Sequence, residues 1–289
     1  MNETGGNLLS YQEFEKSKFN VLSLSEFVKI SNFDYDNSHK IECYAIILIT
    51  SGHTKYTIDF KPIELKEGDM LLISPGQVFH CLTPRMVTGM LVCFDEDFFY
   101  THHEQDFVIN NYNLLIDIFQ RNKLTIREES SSFMFSLVDL MKMETEIIRD
   151  NKPTSIYQQL ISVLLHAIER ECYDREMSDI LLAEKHLASK FKLLVQKNIS
   201  VKNNVEYFCN KLKISKSTLQ KTTKLVYQKT PKDIIEEILL LEAKRMLTVT
   251  SLRIQEIGYK LGFADPTNFT KFFKRNVGIT PDYFRKYKI

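Results

Sequence analysis

Long apolar runs are missing from this chain of 289 residues. Its longest purely aliphatic stretch, Ala45 to Ile49, falls far short of the roughly 20 residues a helix needs to cross a bilayer, so no membrane span is expected. Glycine and proline number only nine and seven and never gather into a tract, which leaves an ordinary globular composition without low-complexity segments. The five cysteines, Cys43, Cys81, Cys93, Cys172 and Cys209, are odd in number, scattered and never spaced as CxxC. They fit free thiols in a reducing compartment better than disulfides or a zinc site. The opening stretch MNETGGNLLSYQEFEKSK is polar and lacks the apolar centre of a secretory signal. A soluble, cytoplasmic protein is expected, long enough for two domains.

Net charge is nearly absent as well, at +1, but the balance hides a split. Residues 183–289 carry 22 Lys/Arg against 9 Asp/Glu, a net of +13, leaving 16 against 28, a net of −12, for residues 1–182. An asymmetry of this size suggests that the basic half meets a polyanion. That half also repeats itself. Val205-EYFCNKL-Lys213-Ile214 is echoed at an offset of 49 by Ile254-QEIGYKL-Gly262-Phe263, and Lys221, Lys224, Thr230 and Pro231 recur at an offset of 50 as Lys271, Lys274, Thr280 and Pro281.

Each copy opens with apolar residues at helical spacing, Val205, Phe208 and Leu212 in one, Ile254, Ile257 and Leu261 in the other. A short turn follows and a second helix starts. Ser215 is the expected N-cap of the first, and Asp265 with Pro266 behind it the expected start of the second. These second helices are expected to bury Leu219 and, in the other copy, Phe269, Phe272 and Phe273, and Gly278 to end the last one. Helix, short turn, helix with a basic outer face is the plan by which a second helix enters a DNA major groove. Pro231 to Leu247 reads as one helix of about 25 Å joining the copies, a length compatible with successive major grooves about 34 Å apart.

These residues resemble the AraC/XylS family of transcription regulators. The resemblance runs from about Ile180 to the C-terminus, and IQEIGYKLGF followed by NFTKFFKRNVGITPDYFR carries the specific part. Gly258 departs from the usual alanine, at an expected cost of about 1 kcal/mol of helix stability. In the first copy Thr223 stands where an apolar or aromatic residue is usual, and Gln228 replaces the helix-ending glycine. The resemblance implies duplex DNA as partner, read by Ser217, Thr218, Gln220, Lys221 and Lys224 in the first unit. In the second the matching residues are Thr267, Asn268, Thr270, Lys271 and Lys274, with Arg275. Gln pairs with adenine and Lys donates to guanine, which makes Gln220 and Lys221 the leading base contacts. Lys274 and Arg275 are expected on phosphates.

The acidic half reads differently. IECYAIILIT and KYTIDF are strand-like and are separated by Ser51-Gly52-His53-Thr54, which reads as a hairpin turn. Ile63-Glu64-Leu65 and Met70-Leu71-Leu72-Ile73 flank another turn, and Met86 to Phe94 adds a strand, which together suggest a small barrel or jelly roll. GDMLLISPGQVFH (Gly68 to His80) resembles the cupin-like sensor domain that precedes the DNA-binding unit in many AraC-type regulators. Residues 107–172 turn helical, with apolar stripes at 130–149 and 155–170, and Cys172 to Ser178 reads as the linker. Family members use helices after the barrel to dimerise, which implies a homodimer.

No nucleophile elbow, phosphate-cradling glycine loop or dinucleotide fingerprint occurs. A metal-dependent cupin enzyme would need three or four converging His/Glu ligands. No HxH with a following Glu is present, His39, His53, His102 and His103 fall in expected turns or linkers, and His80 stands alone. No catalysis, metal or cofactor is expected. Tyr44, Tyr56 and His80 are the polar tips that could line a barrel pocket for a small-molecule effector.

The expected fold is therefore α+β: a cupin-like β-barrel (about 41–95) with following helices (about 107–172) in residues 1–175, then an all-α double helix-turn-helix domain with a linker helix in residues 180–289. The expected function is a sequence-specific DNA-binding transcription regulator, touching RNA polymerase if it activates. The alternatives are a regulator controlled by a partner or by abundance, and a metal-dependent cupin enzyme with a DNA-binding tail.

Overall fold

The structure is a computed structural model that describes residues 19–31, 37–82, 87–95, 118–119, 121–147, 155–172, 179–199 and 204–287. The chain divides into two units, Met1–Glu176 and Met177–Ile289. His102, His103 and residues 173–178 of the expected linker lie outside the described residues.

The first unit runs β1 (Phe19–Ser23), α1 (Leu24–Ser31), β2 (His39–Lys40), β3 (Tyr44–Ile58), β4 (Lys61–Lys66), β5 (Asp69–Ile73), β6 (Val78–Cys81), β7 (Val87–Phe94), β8 (Lys123–Thr125), α2 (Glu128–Ile147) and α3 (Ser155–Cys172). The described strand pairings are all antiparallel. β3 belongs to two layers: its first half pairs with β5 and β7, its second half with β4 and β6.

Strand alternation splits the apolar residues between two cores. Ala45, Ile47 and Ile49 of β3 meet Leu71, Ile73, Leu91 and Cys93, and face Tyr56, Ile58, Leu65, Phe79 and Cys81 across the barrel interior. Their neighbours Tyr44, Ile46 and Leu48, with Met70, Leu72, Val92 and Phe94, turn outward onto Met134, Leu137 and Met141 of α2 and Ile161, Leu164 and Ile168 of α3. Both faces of this sheet are covered, so its strands read as continuous apolar runs.

The hairpin expected at Ser51-Gly52-His53-Thr54 is not there. β3 passes straight through, with its register against β7 shifting between Ile49 and Ser51. A bulge of this kind bends a strand, and here it carries β3 from one layer into the other. The reversal comes later, at Asp59 and Phe60, whose φ angles are 50° and 69°. Left-handed backbone is costly for non-glycine residues, and the Asp59 carboxylate secures it by accepting from Val78 N at 3.1 Å and Gln77 Nε2 at 3.0 Å.

Asp69 is fully buried at the start of β5. Burial alone would raise its pKa, yet hydrogen bonds from Lys123, Thr125 and the Lys66 backbone outweigh that and hold the carboxyl below the usual range. Thr125 Oγ1 donates at 2.6 Å and Lys123 Nζ at 2.8 Å, which fastens β8 to the barrel.

The second unit is helical: α4 (Asp179–Asn198), α5 (Val205–Leu212), α6 (Lys216–Tyr227), α7 (Pro231–Val249), α8 (Ile254–Lys260), α9 (Pro266–Val277) and α10 (Pro281–Tyr287). α7 touches α4 and α6 on one side and α8, α9 and α10 on the other. Its buried Ile234, Ile235, Ile238, Leu239, Ala243 and Leu247 supply the shared core.

Gly89 on β7 pairs with Ile49. A Cβ there would lie 2.3 Å from the Leu48 carbonyl oxygen and 3.1 Å from Leu24 Cδ1. Gly89→Ala is expected to lose about 3 kcal/mol of stability by overpacking. In hydrogen exchange the protection lost should be that of the first unit, with α5 to α10 unchanged.

Candidate nucleic-acid interface

In the first helix pair, Asn204 caps α5 by accepting from Tyr207 N at 2.7 Å. Three residues, Lys213 to Ser215, separate it from α6. Lys213 sits at φ 55° to make the turn. Ser215 then caps α6, its Oγ accepting from Thr218 N at 3.0 Å. α6 buries Leu219, Thr222 and Thr223 completely. A buried hydroxyl needs a partner, and both have one: Thr222 Oγ1 donates to Glu184 of α4, and Thr223 Oγ1 to the Gln220 carbonyl at 3.4 Å. The helix ends at Gln228, forced into left-handed backbone at φ 57°.

The second pair follows the same plan with better terminators. Asp265 caps α9, accepting from Thr267 N at 2.7 Å, and Pro266 occupies the first helical position. The Thr267 backbone N–H, then its hydroxyl, hold the Asp265 carboxyl below the usual range. Gly278 ends the helix at φ 86°, where glycine carries no steric penalty. Phe269 and Phe273 are fully buried. Phe272, expected in the core, is only partly buried. It packs 5.4 Å from the Phe263 ring and lies beneath Arg275, whose guanidinium is 6.0 Å from its centroid.

The outward sets of α6 and α9 correspond residue for residue at an offset of 50. Ser217, Thr218, Gln220, Lys221 and Lys224 are exposed, as are Thr267, Asn268, Lys271 and Lys274. Thr270 is the exception: it is half-buried, and its hydroxyl donates to the Pro266 carbonyl at 3.2 Å. Leu225 is 53 % exposed and stands where the second unit has Arg275. Arg275 lies 3.8 Å from Glu236 of α7, a contact open to solvent and therefore weak. The two faces are thus alike in layout and different in chemistry.

The role of α4 was not legible in the sequence. Glu184 anchors Thr222, Phe191 sits edge-on to Phe208 at 5.8 Å, and Lys192 covers the Tyr227 ring at 5.6 Å. None of these pairings has a local spacing signal.

The three expected pocket residues are not brought together. Tyr44 lies outside the barrel, stacked on Phe94 at 5.4 Å and edge-on to Phe119 at 4.9 Å. Tyr56 lies inside, 5.0 Å from Phe79. His80 alternates outward from Phe79 and Cys81, with its Nδ1 3.1 Å from the Asn37 carbonyl. The single bulge in β3 separates the two tyrosines, because a shift of one residue moves a side chain to the other face. Among the described residues no group of three or more His, Cys, Asp or Glu side chains is placed to hold a metal ion.

Comparison with known proteins gives consistent matches in both halves. The model of a helix-turn-helix domain matches residues 208–287, and that of the AraC-like ligand binding domain matches residues 27–85. The raffinose operon transcriptional regulatory protein RafR of Pediococcus pentosaceus is 23% identical over 96% of this chain and 96% of its own. The Msm operon regulatory protein of Streptococcus mutans is 23% identical over 92% of this chain and 98% of its own. Among solved structures, ToxT from Vibrio cholerae superposes with a TM-score of 0.43 at 15% identity, covering 92% of this chain and 97% of that one.

The strained end of α6 can be checked. Gln228→Gly relieves the left-handed penalty and is expected to raise stability by about 1 kcal/mol, measured by thermal unfolding of the full chain.

Proposed function

The chain belongs to the AraC family of transcriptional regulators, and on that premise we propose that it grips duplex DNA by seating α6 and α9 in successive major grooves. The observation that carries this reading is the pair of matched, exposed polar faces at a constant offset, each on a helix held by its apolar side. α7, with its 19 residues, is about 28 Å long and touches both pairs, so it sets their separation on the scale of one helical turn of DNA.

Within this reading Gln220, Lys221, Thr267, Asn268 and Lys271 meet base edges, since each stands in the first two turns of its helix, where base contacts concentrate. Ser217 and Thr218 share the Ser215 cap, whose Oγ lies 2.8 Å from each hydroxyl, and they serve the backbone as readily as the bases. Lys224, Lys274 and Arg275 lie further along and hold phosphates. Arg275 gives up only a solvent-exposed contact with Glu236 in doing so.

The first unit regulates. In this proposal a small-molecule effector held by its barrel favours one arrangement of the protein over another. The outer faces of α2 and α3 expose Phe133, Leu140, Met143, Ile156 and Val163, and Arg170 lies 5.8 Å over the Phe133 ring, which places these stripes side by side. Apolar faces of this kind mark association sites, and we assign this one to a homodimer in the cytoplasm. A dimer on DNA then meets RNA polymerase where it activates.

Titration on the protein's own upstream DNA tests the interface. Lys271→Ala is expected to flatten discrimination between sequences, while Lys274→Ala weakens all binding and lowers the salt slope by about one unit. Equal effects of both changes on every duplex would refute the division of labour. In sedimentation the full chain is expected to run as a dimer and Leu140→Asp as a monomer, and a wild-type monomer would remove the assigned interface.

A further inference from the structure

We propose that two copies of the chain join as a four-helix layer, in which each α2 lies on the α3 of its partner and the twofold axis runs along the helices. The proposal rests on the homodimer reading above, and names the arrangement and the charged residues that select it.

α2 and α3 form an antiparallel pair. At the head of α2, Arg127 Nε and Ser130 Oγ donate to the carboxylate of Glu171, at the foot of α3, at 2.9 Å and 2.7 Å. Arg170 over the Phe133 ring marks the register. Seven residues on from Phe133 stands Leu140, and seven back from Arg170 stands Val163, so these two share the next level along the antiparallel pair. A spacing of seven keeps side chains on one seam over successive turns. Phe133, Leu140 and Val163 are 46, 53 and 44 % exposed, while Met134, Leu137, Ile161 and Leu164 on the opposite faces are buried against the sheet. A helix covered on one side needs no apolar seam on the other, so this seam calls for a second cover.

Charge says what covers it. Among the described residues, the exposed charged side chains of α2 are acids, Glu128, Glu129 and Asp139, whereas those of α3 are His166 and Arg170. Two such antiparallel pairs can face each other about a twofold axis in two ways. An axis across the helices sets α2 on the partner's α2, acid against acid. An axis along them sets α2 on the partner's α3, acid against base. Every contact in a twofold interface occurs twice, and like charges brought together cost free energy, so the second arrangement wins. Levels are kept across that axis. Leu140 then meets the partner's Val163, and Glu129, one turn before Phe133, comes within reach of the partner's Arg170. Both copies of α3 end on the same side, so the two chains run on past Cys172 in one direction.

Cysteine crosslinking of the full chain tests this, since the five native thiols are buried. Chains carrying Leu140→Cys and chains carrying Val163→Cys are equilibrated together and oxidised with diamide. A crosslinked dimer is expected from the mixture and not from either variant alone. In sedimentation Arg170→Glu should raise the dimer dissociation constant about tenfold, and adding Glu129→Arg in the same chain should restore it. Recovery by a second charge reversal cannot come from a damaged fold. Crosslinking of either variant alone, no crosslink in the mixture, or a double reversal no tighter than Arg170→Glu would each overturn the arrangement. A wild-type monomer in sedimentation strikes the homodimer reading itself, whereas a wild-type dimer with the wrong crosslinks strikes only the arrangement.

Discussion

A helix that reads a groove has to be held from one side only. It needs enough buried surface to fix its axis, and its opposite face has to stay bare along the turns that enter DNA. α9 meets this with Phe269 and Phe273, which are fully buried and packed on α10 through Phe284 at 5.5 Å. α6 meets it with less apolar material. Leu219 is its one fully buried aliphatic side chain, and two threonines complete the stripe. Polar groups in that position help only when their hydrogen bonds are made. Glu184 on α4 therefore belongs to the support of α6, the helix proposed to enter the first groove.

The same economy appears in the first unit. One long strand, β3, supplies residues to both layers and to both cores. The bulge after Ile49 makes that sharing workable, since it turns the strand without breaking its hydrogen-bonded ladder. Close packing sets the remaining terms. Gly89 exists because the Leu48 carbonyl occupies the space a side chain would need. Asp59 and Asp69 satisfy backbone groups that a turn and a strand end would otherwise leave open.

The helical unit was largely legible in the sequence, and the reasons are local. Helix starts at Ser215 and Asp265, the glycine stop at Gly278 and the buried Leu219 all follow from spacing over a few residues. The first unit yielded its class but not its details. The Ser51-Gly52-His53-Thr54 stretch has the composition of a turn, and in the fold it serves a bend, because pairing partners distant in sequence decide between the two. With a hairpin in place of the bulge, Tyr44 and Tyr56 read as neighbours in one pocket, whereas in the fold they face different cores. Gly258 shows the converse. Its expected cost to α8 is real as a propensity, but a Cβ there would come 3.1 Å from the Phe269 Cβ. The glycine permits α8 and α9 to approach closely, a benefit that no single helix reveals.

Charge completes the account, because the basic half does not present all of its cations equally. α7 carries the acids Glu236, Glu237 and Glu242, which pair with Lys229 at 2.6 Å, Lys232 at 3.8 Å, Arg245 at 3.2 Å and Arg275 at 3.8 Å. Lys232 and Arg245 sit on α7 and Lys229 just before it, whereas Arg275 lies on α9 and its contact is open to solvent. Lys221, Lys224, Lys271 and Lys274, among the described residues, make no salt bridge. A cation already paired within the protein releases fewer counterions when it meets a phosphate, so the pairs of Lys229, Lys232 and Arg245 remove positive charge from the linker and leave it on the four lysines of α6 and α9. The net excess of the basic half is thereby turned into a directed one, concentrated where the helices project.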